Sequence, residues 1–179
     1  MKRISVGIVL LMLIAAVAVS VQAQMQMPTP APELKKFDYF VGAWTIEGVS
    51  KPGPMGPGGT FTGTETDAWM ENSFFLKDIS TFKSSMGDSK GEAFMGYSAD
   101  DKAYTYHAFD SWGEYVSATG MLDGDTWNWN SESKMGGKMI KTRYIIKMLS
   151  PTSYTFKMDM SEDGKTWSNA MEGKATKAK

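Results

Sequence analysis

From Gly42 onward the chain alternates apolar and polar residues with period two, and turn signals break that alternation at regular intervals. Successive side chains of a strand point to opposite faces, so this pattern describes strands with one wet and one buried face. The clearest case is Met139 to Leu149. There Ile140, Thr142, Tyr144, Ile146 and Met148 share one face, and Lys141, Arg143 and Lys147 share the other. Tyr154, Phe156, Met158 and Met160 oppose Thr155, Lys157 and Asp159 in the same way, as Trp127 and Trp129 oppose Asn128 and Asn130. Polar turns separate these runs at Ala99–Lys102, Asp123–Asp125, Ser150–Thr152 and Glu162–Lys165. Lys51 to Gly59 (KPGPMGPGG) holds three prolines and four glycines and reads as a loop, because prolines cannot sustain a ladder. About ten strands joined by short turns form an up-and-down meander, and closing a long meander removes its unpaired edges. The fold class is therefore all-β: an antiparallel up-and-down barrel of about ten strands. A short helical turn precedes it, with Leu34, Phe37, Phe40 and Val41 at helical spacing.

Ahead of this domain the chain has the marks of export. Lys2 and Arg3 precede an apolar run from Val6 to Val19, and Val21-Gln22-Ala23 is a small-x-small cleavage site. Residues 1–23 are read as a signal peptide, 24–36 as a Pro-rich linker and 37–175 as the barrel domain. The run falls short of the ~20 apolar residues of a comfortable membrane span. The expected location is the periplasm or beyond, with no membrane span after cleavage. Cleavage would leave 17 Lys and Arg against 20 Asp and Glu, a balance without the basic cluster that marks nucleic-acid binding. The chain has no cysteine, so neither disulfides nor thiolate chemistry are available to it. Its 15 methionines suit either an adaptable apolar interior or simple replacement of leucine.

Phe37-Asp38-Tyr39-Phe40-Val41-Gly42-Ala43-Trp44 is a helical turn leading to Gly-x-Trp at the start of the first strand. This stretch resembles the calycin barrels: lipocalins, fatty-acid-binding proteins and nitrobindin-like proteins. Gly96-Tyr97 followed by Lys102-Ala103-Tyr104 adds a hairpin similar to that of a bacterial exported family, domain of unknown function 1579. The resemblance spans Phe37 to Lys174. It implies a calycin-like barrel in which Gly42 lets the chain turn into the wall and Trp44 plugs the closed end. It also implies that the 51–59 loop is a lid over the mouth, beside the alternative of a passive surface loop. One departure concerns the Arg that many lipocalins lay across the Trp from the last strand. Here that strand is read as Trp167 to Lys174 and offers only Lys174, while Arg143 falls on an outward face.

Candidate chemistry is sparse. His107 is the only histidine, so zinc sites of the His₃, His₂Glu or Cys-containing kinds are excluded. Pairing His107 with Asp110 for nucleophilic catalysis fails locally, because residues i and i+3 of a strand face opposite ways. A nitrobindin-like haem ligand is expected near the C-terminus, where the chain has no histidine. Alternation leaves the side of the wall that His107 faces open. Paired carboxylates at Asp100-Asp101, Asp123/Asp125 and Glu162-Asp163 all fall in turns, where Asp serves turn geometry. The reading that results is a barrel binding a small apolar or amphipathic ligand, with no cofactor, no metal and no catalytic residues. Trp127, Trp129, Tyr144, Phe156, Met158 and His107 are the candidate cavity lining, around a void of several hundred Å3. The alternative is a filled barrel acting as an envelope-associated or protein-interaction module. An enzyme would need a polar cluster with shifted ionisation inside the barrel around His107.

Overall fold

The computed structural model describes residues 28–178. The signal segment 1–23 and the first part of the 24–36 linker lie outside the described residues. Ten strands follow one another: β1 (Gly42–Ser50), β2 (Gly59–Trp69), β3 (Leu76–Ser84), β4 (Gly87–Ser98) and β5 (Ala103–Asp110), then β6 (Tyr115–Asp123), β7 (Thr126–Met135), β8 (Lys138–Ser150), β9 (Ser153–Ser161) and β10 (Ser168–Lys177). Each pairs antiparallel with the next, and β10 pairs with β1 to close the barrel. The expected meander is thus the observed one. The Gly136-Gly137 turn between β7 and β8 has both residues at positive φ, 58° and 84°, as a two-residue hairpin turn requires.

One end of the barrel is closed by a 3-10 helix, Pro32–Tyr39, which begins inside the segment read as linker. A 3-10 helix repeats every three residues, so Leu34, Phe37 and Phe40 align on one side and all three are buried. Phe37 enters the barrel and stacks on Trp127 at 5.1 Å and 15°, and Trp127 stacks on Trp129 at 5.8 Å and 8°. Tyr104 meets the edge of this stack, 4.7 Å from Trp127, and its hydroxyl donates to the Glu33 carbonyl. Burying a ring such as Phe37 contributes about 1.5–3 kcal/mol. Tethers hold the helix in place: Tyr39 Oη donates to the Ser150 and Ser153 carbonyls, and Trp69 Nε1 to Asp38 Oδ1.

Gly42 has φ +123°, a conformation a side chain would strain, and it turns the chain from helix into β1. Trp44 is fully buried behind it, and its Nε1 donates to the Phe40 carbonyl at 2.6 Å. The last strand runs three residues beyond the sequence reading. It places Lys177 opposite Trp44, with the ammonium 5.0 Å from the ring centroid. A lysine therefore lies across the plug where only Lys174 had been considered. Arg143 sits outside as expected, 3.6 Å over the Trp167 ring, and Trp167 itself precedes β10.

Inside the barrel, glycines and aromatics face each other directly across strands: Gly48 and Phe61, Gly63 and Phe82, Gly120 and Trp129, Gly173 and Phe156. In each pair the ring lies over the glycine, where an added Cβ would collide with it. Bulky rings thus fill the wall without forcing the strands apart.

Candidate functional site

Alternation along β2 sends Thr60, Thr62, Thr64 and Thr66 outward and Phe61, Gly63, Glu65, Asp67 and Trp69 inward. On β3 the inward set is Leu76, Asp78, Ser80 and Phe82. The β2–β3 register sets Asp67 directly opposite Asp78 and Glu65 opposite Ser80. Three carboxyl groups therefore converge inside the barrel, with one oxygen from each within 4.8 Å of the others. Like charges directly opposed across a sheet repel, so the strands hold these groups together against their electrostatics.

Burial is the main cause of their shifted acidity. It pushes Glu65 up to about 7, Asp67 to about 9 and Asp78 to about 8. The charges of Asp78 and Glu65 raise Asp67 further, and Lys177 partly offsets them. The Lys177 ammonium is anchored by donating to the Tyr39 carbonyl at 3.2 Å. Tyr154 donates its hydroxyl to Glu65 Oε2 at 3.1 Å, which favours the ionised form of Glu65. Two further phenols, Tyr106 and Tyr144, stand half-buried in the interior facing the carboxyls. Burial first, then the fields of Asp78 and Glu65, push both phenols far up. Neither hydroxyl has a hydrogen-bond partner among the described residues.

A cavity of about 170 Å3 has Asp78, Ser80, Phe82, Tyr106 and Ala108 in its wall and reaches the rim at Asp110 and Glu114. It is smaller than the several hundred Å3 expected, because the rings paired with glycines occupy much of the lumen. A larger groove, about 470 Å3, lies on the outer face of β6–β8 beside Arg143 and Trp167. It is built from outward-facing residues such as Thr119, Asn130 and Glu132 and open to solvent, unlike the carboxyl cluster.

The candidate residues read from the sequence separate into three groups. Tyr144, Phe156 and Met158 face the interior but lie outside the wall of the 170 Å3 cavity; Tyr144 pairs with Met158 and stacks on Phe156 at 5.8 Å. Trp127 and Trp129 also face inward, but they are packed into the closed end with Phe37 and belong with the plug of Gly42 and Trp44 rather than with the cavity wall. His107 faces outward, at a register position level with Ser117 and Phe94, and its Nδ1 lies 3.1 Å from Tyr115 Oη. That removes it from the cavity lining, because the inward parity of β5 belongs to Tyr104, Tyr106 and Ala108. Of the carboxylates read as turn residues, Asp100, Asp101 and Asp125 lie in turns, Glu162 and Asp163 in a bend, and Asp123 ends β6. Asp163 accepts from the Lys165 and Thr166 amides at 2.7 Å each, which hold its carboxyl down to about 2.

Glu65, Asp67, Asp78, Tyr106, Tyr154 and Lys177 were missed. One signal for them was present: Glu65 and Asp67 share the parity of Phe61 and Trp69, so the Thr-rich strand carries its acids on its apolar face. The assembled floor offers oxygen donors and acceptors and holds protons near neutral pH. When ionised it repels anions.

Among solved structures, Rv2717c from M. tuberculosis is similar over 84% of this chain and 99% of its own, at 12% identity and TM-score 0.58. The S-type phycobiliprotein lyase CPES from Guillardia theta is similar over 89% of this chain and 97% of its own, at 11% identity and TM-score 0.53. At such identities the likeness shows the barrel fold. No curated protein sequence matches the chain. A family model matches residues 29–177, nearly the whole of the barrel and its closing helix, and the chain belongs to that family, described as Protein of unknown function (DUF1579).

Proposed function

We propose that this barrel is exported by its N-terminal segment and binds a small amphipathic molecule in its interior, without catalysing a reaction on it. The observation that carries this reading is the cavity whose wall joins Phe82 to Asp78 and Tyr106. Apolar contact area and a few fixed polar groups in one concave space are the usual composition of a ligand site. Ala93, Ala108 and Val116 extend the apolar side. Ser80 and Tyr106 add hydroxyls to that wall. The cavity volume limits the bound part to a small molecule or one end of a longer one. The ionisable floor disfavours an anionic head group such as that of a fatty acid.

Native mass spectrometry of the protein purified gently from its own host, followed by organic extraction, tests this. A co-purifying organic molecule at near-unit ratio is the expected result, with affinity reduced by Tyr106→Phe. A bare protein mass, unchanged against a panel of amphipathic compounds, would overturn it.

One observation favours the rival reading of a protein-interaction module. Phe109, Trp112 and Tyr115 are half-exposed around the β5–β6 turn, more aromatic surface than a turn needs.

A further inference from the structure

The floor of the barrel has the geometry of an ion site. We infer that Glu65, Asp67 and Asp78 together bind one hard divalent cation of calcium size. This goes beyond the reading above and needs no organic ligand.

Four observations converge on it. The first is spacing. Calcium takes oxygen ligands at about 2.3–2.6 Å, so oxygens sharing one ion stand no more than about 5 Å apart. One oxygen from each of the three carboxyls meets that limit, all lying within 4.8 Å of one another. The second is donor chemistry. Carboxylates are hard ligands suited to calcium, magnesium or manganese, and the cluster has neither the imidazole nor the thiolate that would favour zinc or copper. The third is charge. Fully ionised, the cluster carries three negative charges, and Lys177, anchored at the Tyr39 carbonyl, supplies one positive charge. One divalent cation closes that balance, whereas a monovalent ion leaves a net charge buried.

The fourth is independent of the acids. Tyr106 and Tyr144 are half-buried interior phenols turned toward the cluster, and neither hydroxyl is bonded to a side chain of the cluster. Phenols lining a barrel interior are ordinarily hydrogen-bonded to protein or to water. Waters completing the coordination of an ion between the carboxyls would supply those partners. Tyr154 already steadies Glu65 through Oε2, which leaves Oε1 free for the ion. The cavity that runs from the rim at Asp110 and Glu114 to Asp78 gives a path of entry.

Terbium(III) tests this directly, because it substitutes for calcium and emits when nearby tyrosine or tryptophan is excited. The chelator-stripped protein is titrated with Tb3+ and the sensitised emission followed. The expected result is saturation at one ion per chain, with displacement by Ca2+. In the Asp67→Asn, Asp78→Asn double variant the affinity falls by more than about 100-fold, since losing even an outer partner of a ligand costs about 10- to 100-fold. Glu65→Gln alone weakens binding by about 10-fold or more on the same scale. Circular dichroism and a cooperative melt check that each variant folds. If the double variant does not fold, Glu65→Gln decides. Absence of sensitised emission overturns the inference. So does emission that survives unchanged in every folded variant, because the ions then sit on surface carboxylates. The two proposals fail separately. A protein that binds Tb3+ in this way yet carries no organic molecule in native spectra keeps the ion site and loses the small-molecule reading.

Discussion

The two halves of this barrel's interior are built from the same alternating strands and do opposite things. At the closed end Phe37, Trp127, Trp129 and Tyr104 stack in van der Waals contact beneath the helix, and Trp44 is sealed in beside them. Directly against Trp44 and Gly42, the inward positions of the next strands carry Glu65, Asp67 and Asp78 with phenols that do not satisfy them all. The first region stabilises the fold by burying large apolar surface. The second places groups where neither solvation nor charge favours them, which is where function rather than stability explains a residue. Stability and chemistry thus meet side by side, with Tyr154 touching both Trp44 and Glu65.

The largest expected effect comes from breaking the packed half. Trp127→Ala removes a fully buried ring and should cost about 3–5 kcal/mol in urea unfolding. Because Trp127 belongs to the plug, the Tb3+ affinity of the folded fraction should stay within a few-fold of wild type. A large loss would mean that the two halves are coupled.

The second prediction concerns the acidic half. Its three carboxyls have folded-state acidities raised from the usual range near 4 to about 7, 9 and 8. The folded chain therefore binds more protons than the unfolded one between about pH 4 and 9, so stability falls as pH rises through that window. In chelator the Tm should fall from pH 5 to pH 9. The Asp67→Asn, Asp78→Asn variant should flatten the profile. A wild-type profile that rises with pH would show that the carboxyls are ionised and compensated in the apo-protein.

A subtler disturbance of the packed half is Gly120→Ala. Its Cβ would run into the Trp129 ring, and overpacking of this kind costs about 1–3 kcal/mol. No measurable cost would mean that the closed end has room to adjust. The smallest effect belongs to neither half. Lys138 pairs with Glu162 at 2.8 Å on the surface, and Lys138→Ala should change stability by no more than about 0.5–1 kcal/mol.

Much of the wall was legible because its signal is local. Ile140 through Met148 announce a strand with one wet face, and the intervening turns announce its neighbours. The plug at Gly42 and Trp44 was implied by the resemblance to calycin barrels rather than by the alternation of the strands. The site was less so. Tyr144, Phe156 and Met158 followed from parity, but His107 did not, since both faces of β5 carry aromatics and only pairing with β4 and β6 decides which points in. Lys177 was hidden by ending the last strand at Lys174, where its β-pattern weakens; pairing with β1 carries it on to Lys177. Trp127 and Trp129 were assigned to the right face and the wrong depth. Parity gives the side of a wall and says nothing of height along the axis.

By itself the sequence determined the class of fold, the alternation of each strand and the aromatic character of the interior. Those depend on the period of a single strand and on turns a few residues long. Only the tertiary structure decided that Asp67 faces Asp78, that Glu65 meets Tyr154 and that Lys177 crosses Trp44. Each of these contacts depends on the register between strands and on closure of β10 against β1. A pair of residues 11, 89 or 133 positions apart has no signature in local periodicity, and their chemistry exists only once the wall is closed.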